Sequence, residues 1–183
     1  MRFGHLSVIF ETHATSIDNE AGLASGWFDV DLSALGEEQA RALGERRRGD
    51  DLAAVYCSDL RRAWRTAELA FGGRAVPIAR DSRLRECDYG RLTRRPAAEI
   101  EAVRQHHLAT PFPDGESYEQ AVRRVGACLE EIAEMAAEQQ GRTVLIIGHR
   151  ATLYALQHLD GEPLERVVAL PWRWQPGWQF LLK

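Results

Sequence analysis

The sequence predicts an α/β fold, a three-layer α/β/α sandwich around a mostly parallel sheet. Apolar runs of strand length alternate with stretches of helical period, the pattern of βαβ units. Two of those runs, "VIFETH" and "VLIIGH", lead straight into a histidine, His13 and His149. A length of 183 residues suits one core, and 45% apolar with 27% charged residues is the make-up of an ordinary globular chain. A single domain over residues 1–183 is therefore expected.

Each element has its own reason. "LSVIF" (6–10) reads as a buried strand. Ser33 caps a predicted helix to about Arg48, with Leu35, Ala40, Leu43 and Gly44 on one buried face. "LAAVYCS" (52–58) is a second strand, and residues 58–71 a helix with Asp59 in its first turn, where the helix dipole favours it. "AVPI" (75–78) is a short third strand. Pro96, Pro111 and Pro113 break residues 79–115 into a lid-like insertion, with one helix from Ala97 to His107. Ser117 and Gln120 form a capping box that starts a long helix to about Met135. "TVLIIGH" (143–149) is the clearest strand, a helix over 151–159 follows, and "VVAL" and "WQFLL" read as late strands. Right-handed crossovers place helices on both faces.

Composition removes several classes of function. With 23 basic and 27 acidic residues, net −4, the chain is a poor candidate for wrapping nucleic acid, and the arginines of "RRRGD" and "DLRRAWR" lack interleaved aromatics. Cys57, Cys87 and Cys128 are odd in number and widely spaced, which suggests neither disulfides nor a zinc knuckle, and a cytoplasmic location is expected. His106 and His107 have no i, i+4 partner that would suggest a metal. The apolar run near the first residue is too short for a signal peptide, and no stretch approaches a membrane span. Trp172, Trp174 and Trp178 suit either a homo-oligomeric interface or packing against the final strand.

The fold also says where function should lie. Ligands of open parallel sheets bind beyond the carboxyl ends of the strands, so His13 and His149 are placed to share one crevice. An imidazole can serve as a covalent nucleophile, and arginine's planar fork suits phosphate oxygens. Arg62, early in its helix, can reach that crevice, and Glu86 in "RLRECDYG" can protonate a leaving oxygen if its surroundings allow. The plainer alternatives are a solvated Arg62, a Glu86 paired with Arg83 or Arg85, a turn residue at Asn19 and a cap at Ser16.

These motifs resemble the histidine phosphatase superfamily. "THATSIDN" puts His13 and Asn19 on the family's first motif, and "GWFDVDLSALGEEQARALG" is similar to its next series. "SDLRRAWRTAE" carries Arg62, "RLRECDYG" carries Glu86, "FPDGES" precedes the long helix, and "VLIIGH" delivers His149. The resemblance covers about residues 6–155 and implies a phosphoglycerate-mutase-like sandwich without an obligatory metal or cofactor. It further implies a small phosphorylated substrate, attack by His13 on phosphorus, and oxygens held by Arg62, His149 and backbone donors.

The first motif departs from the family. Thr12 stands where an arginine is usual, Glu11 precedes it, Ala14 replaces a glycine, and Arg150 replaces a small residue. Losing one preorganised donor costs about 10²–10³ in kcat, which leaves room for an active enzyme. A Glu11 facing the site would favour imidazolium at His13. Two readings follow: a phosphatase in which Arg150 fills the gap at Thr12, with Ser16 and Asn19 also contacting substrate, or an impaired module that binds phosphorylated ligands. A solvent-facing Arg150 is the third alternative.

Overall fold

The computed structural model describes residues 3–138, 143–172 and 175–183, so Trp174 lies outside it. Among these residues five strands form one sheet in the order β3-β2-β4-β1-β5. They are β1 (Leu6–Thr12), β2 (Leu52–Cys57), β3 (Ile78–Arg80), β4 (Thr143–Gly148) and β5 (Trp178–Leu182). β2 is buried throughout and β4 at all but Thr143, because both are interior strands covered on each face. All pairings are parallel except β1 with β5, which closes the edge antiparallel.

Helices cover both faces. α2 (Ala34–Arg46) and α3 (Arg61–Phe71) enclose a cluster that includes Leu43, Val55, Phe71, Leu145 and Ile147. α5 (Tyr118–Glu138) and α6 (Arg150–Leu159) enclose the larger cluster with Phe10, Leu129, Ile146 and Leu156. The smaller helices are α1 (Ile17–Glu20), α4 (Ala97–Val103) and α7 (Leu164–Ala169). The capping residues act as expected: Ser33 Oγ accepts from Gly36 N, and Ser117 and Gln120 exchange side-chain-to-backbone hydrogen bonds. α4 continues into a tighter turn, Arg104–His107, where His107 stacks on Phe112 at 3.9 Å.

Several expectations are corrected. Leu35 is exposed, and the inner face of α2 is Gly36, Ala40 and Leu43. Asp59 lies before α3 and pairs with Arg85, while Asp29 accepts from the N–H of Arg61. The third strand starts at Ile78, since Pro77 has no N–H for the ladder and contributes only its carbonyl, to Val55 N. "VVAL" is mostly helix: Leu164, Val167 and Val168 are buried at i, i+3 and i+4, a period that a four-residue window cannot separate from a strand.

Glycines allow two close approaches behind the site. A Cβ at Gly36 would collide with the carbonyl of Thr15, and one at Gly44 with that of Ala70. α2 therefore rests directly on the loop that follows β1.

Candidate active site

The register of the sheet builds the site. Thr12 pairs with Gly148, and His13 N donates to the Gly148 carbonyl at 3.0 Å, so the next residue of each strand end meets its counterpart. The rings of His13 and His149 lie 5.0 Å apart, tilted by 55°. His13 Nδ1 lies 2.7 Å from the carbonyl oxygen of Ala14. A carbonyl only accepts, so Nδ1 carries the hydrogen and Nε2 keeps its lone pair.

Both imidazoles are held neutral. Burial first and the Arg62 charge second lower the His13 pKa from 6.5 to about 3, against the Ala14 hydrogen bond, which raises it. Burial, Arg62 and His13 together push His149 well below its ordinary value. This overturns the expectation of extra imidazolium at His13. Glu11 is only 2% exposed, and its carboxylate is taken by Arg46 at 3.1 Å and Arg47 at 2.7 Å. Gly177 makes room for that arrangement, since a Cβ there would strike the Arg47 guanidinium.

Arg62 is 2% exposed, and its guanidinium donates to the carbonyls of Gly26 at 2.8 Å and Phe28 at 3.1 Å. It is a buried residue, not a solvated one. His149 is 1% exposed, and neither of its ring nitrogens has a hydrogen-bond partner among the described residues. An unsatisfied buried polar atom costs about 1–3 kcal/mol, so such a ring is poised for a ligand.

Glu86 does not pair with Arg83 or Arg85, which bind Asp81 and Asp59. Its Oε1 accepts from Cys87 N at 2.8 Å and Ala151 N at 3.0 Å, and its Oε2 from Arg150 N at 3.2 Å. The carboxylate thus sits on the first turn of α6, beside His149. Arg124 fixes its loop by donating to the carbonyls of Arg83, Arg85 and Glu86, and Trp27 Nε1 donates to the last of these at 2.6 Å.

Backbone donors, expected around the anion, are already engaged. The N–H of Ala14 goes to Thr66 Oγ1, that of Thr15 to Gln39 Oε1, that of Ser16 to Asn19 Oδ1 and that of His149 to Thr152 Oγ1. Side chains are left to meet a ligand.

His13, His149, Arg62, Glu86, Thr12, Asn19 and Arg150 all line one cavity of about 880 Å³. Ser16 does not: it is fully buried and caps α1 by accepting from Asn19 N. Arg150 is half-buried instead of solvent-facing, and its guanidinium is bound to Glu101 and to the Leu170 carbonyl, not directed to a gap at Thr12. The sequence reading missed Thr66, Tyr89, Glu101 and Arg46 in the walls. Thr66 in "SDLRRAWRTAE", Tyr89 in "RLRECDYG" and Gln39 in "EEQARALG" stood within family-like motifs, whereas Glu101 and Arg46 carried no such signal. Among the described residues no cluster of His, Cys, Asp or Glu is arranged to hold a metal, and no helix is long and apolar enough to cross a membrane.

Fold and site together describe an α/β protein with a two-histidine pocket at its strand ends. Residues 8–174 match the family model of the histidine phosphatase superfamily (branch 1), and the chain belongs to that superfamily. A relative from Salmonella arizonae, named a probable phosphoglycerate mutase GpmB, is 34% identical over 159 residues, 82% of this chain and 73% of its own. YhfR of Bacillus stearothermophilus superposes with a TM-score of 0.76 at 30% identity, covering 91% of this chain and 86% of that one. The mycobacterial glucosyl-3-phosphoglycerate phosphatase in complex with VO3 gives 0.76 at 27% identity, with 91% and 87% covered. The structural neighbours are of phosphatase and mutase type, on phosphoglycerate-mutase-like α/β folds.

Proposed function

We propose that this chain is a phosphomonoester hydrolase that works through a phosphohistidine at His13 on a small phosphorylated molecule. The observation that carries the reading is the neutral His13, with its hydrogen fixed on Nδ1, facing the unpartnered nitrogens of His149 inside one cavity. The lone pair of His13 Nε2 attacks phosphorus, the bond from phosphorus to the ester oxygen breaks, and the leaving oxygen takes a proton from the Glu86 carboxyl. Water then attacks the phosphohistidine and gives a proton back to Glu86. The phosphorus–nitrogen bond breaks, and inorganic phosphate and free His13 result. Arg62 and His149 hold the phosphoryl oxygens, with Thr12 and Asn19 at the rim, and residues 79–115 serve as the lid. Phosphatase names among the structural neighbours support hydrolysis, and the mutase name of the relative is kept as the other fate of the phosphoenzyme.

A second reading, a binding or regulatory module with negligible turnover, is favoured by one observation: Thr12 offers no guanidinium, and the loop amides that would replace it are occupied. Hydrolysis of p-nitrophenyl phosphate, with acid-labile phosphate trapped on the wild type and absent in His13→Ala, decides between them. Tight phosphate or vanadate binding without turnover would establish the module instead.

A further inference from the structure

We infer that the esterified alcohol is uncharged and largely apolar, so that the phosphoryl group is the single anion this cavity accepts. The inference deepens the phosphoester reading and rests on it.

The cavity is far larger than a phosphate, and most of its volume must receive the alcohol. Besides Thr15, Ser25 and Gln39, its wall includes a run of apolar side chains, Leu23 and Ala24 after α1, Ala97 and Ile100 of α4, and the rings of Tyr89 and Trp172. These side chains offer area to an apolar group and little to a carboxylate.

A second anion would need an available cation. Three arginines line the cavity, and each already has a partner, the partly exposed Arg46 through one nitrogen only. Arg62 belongs to the phosphate end. Arg46 gives one nitrogen to both oxygens of Glu11, and the neighbouring Arg47 is shared between Glu11 and Asp50.

Arg150 is clamped most firmly. One terminal nitrogen pairs with Glu101, the other donates to the Leu170 carbonyl at 3.2 Å, and the guanidinium lies 5.4 Å from the Tyr154 ring and 5.6 Å from that of Trp172. Glu101 is held in turn by Arg104, which donates to the carbonyls of Ala169 and Leu170. A carboxylate approaching Arg150 would have to displace Glu101 and would meet its charge first. An occupied cation selects against the wrong substrate, because a carboxylate would have to break the Glu101 ion pairs to reach one. Arg150 and Glu101 thus act as a specificity pair.

The test compares matched esters. Phenyl phosphate and 4-carboxyphenyl phosphate differ by one remote charge, as do propyl phosphate and 3-(phosphonooxy)propanoate in their alcohol halves. The wild type is expected to favour the uncharged member by about tenfold or more in kcat/KM. Glu101→Gln, at a partly exposed position, is expected to move that ratio toward unity by raising turnover of the carboxylated member. Equal or better turnover of carboxylated esters by the wild type, or a ratio unmoved in Glu101→Gln, overturns the inference. Calorimetric binding of phenylphosphonate against 4-carboxyphenylphosphonate reads the same preference without chemistry. An absence of hydrolysis would therefore defeat the hydrolase reading while the binding ratio still judged this one.

Discussion

Glu86 sits on the first turn of α6, accepting hydrogen bonds from both Arg150 N and Ala151 N, although the loop that carries it belongs to another part of the chain. The contact joins the candidate proton donor to the helix that begins next to His149. One side chain therefore has a structural duty and, in the proposed reaction, a chemical one, and substitution separates them. Glu86→Gln keeps an acceptor for the helix but has no acidic proton. Turnover of alkyl phosphates is expected to fall by about 10²–10⁴, with a much smaller loss on p-nitrophenyl phosphate, whose leaving group needs no proton. Equal losses on both substrates would remove Glu86 from the donor role.

Arg124 acts at one remove. Its guanidinium binds three carbonyls of the Glu86 loop and the Glu116 carboxylate, so it is a positioning residue. Arg124→Met is expected to reproduce the leaving-group dependence of Glu86→Gln in weaker form, and Arg124→Lys to recover part of it. A uniform loss across leaving groups would mark a purely structural role.

The buried imidazoles make stability depend on pH. His13 titrates near 3 in the native state against 6.5 when unfolded, and His149 is lowered as well. Between these values the unfolded chain binds protons that the native chain does not, so stability is complete above about pH 6.5 and declines as pH falls toward about 3. Urea midpoints measured across that range are expected to drop steadily, and less steeply in His13→Asn. A midpoint independent of pH would contradict the burial of these rings.

Thr12→Arg is expected to raise kcat. The residue lines the cavity next to His13, and a preorganised donor is worth about 10²–10³ where it reaches developing charge. Unchanged or lower turnover, with phosphate binding retained, would show that the vacancy costs this chain nothing.

Gly36→Ala tests the seat of the loop that follows β1. A new Cβ has no room against the Thr15 carbonyl, so α2 or the loop must move. Destabilisation of about 1–3 kcal/mol by denaturant unfolding is expected, together with loss of turnover. Ala substituted at exposed Gly49, where nothing crowds a Cβ, serves as the control.

Long apolar runs made the sheet legible. β2 and β4 are interior strands buried on both faces, so they needed no alternation to be recognised. The same brevity that hid α7 moved β3, because neither spans two periods of its own pattern. Within the site, the two histidines were visible since each ends a strand, whereas the states of Glu11 and Arg150 depend on partners remote in sequence. Arg46 and Arg47 close over Glu11, and Glu101 and Leu170 close over Arg150. Hydrogen bonds that occupy the loop amides are likewise made between distant segments.

The strand bearing His13 pairs only with β4 and β5, although it is the first strand of the chain. During synthesis it leaves the ribosome with neither neighbour in existence, and its central ladder waits until Gly148 has emerged. Contacts so remote in sequence are slow to form. A nascent chain stopped before that residue carries His13 without the strand that fixes its register, and β1 stays unpaired until β4 and β5 are made.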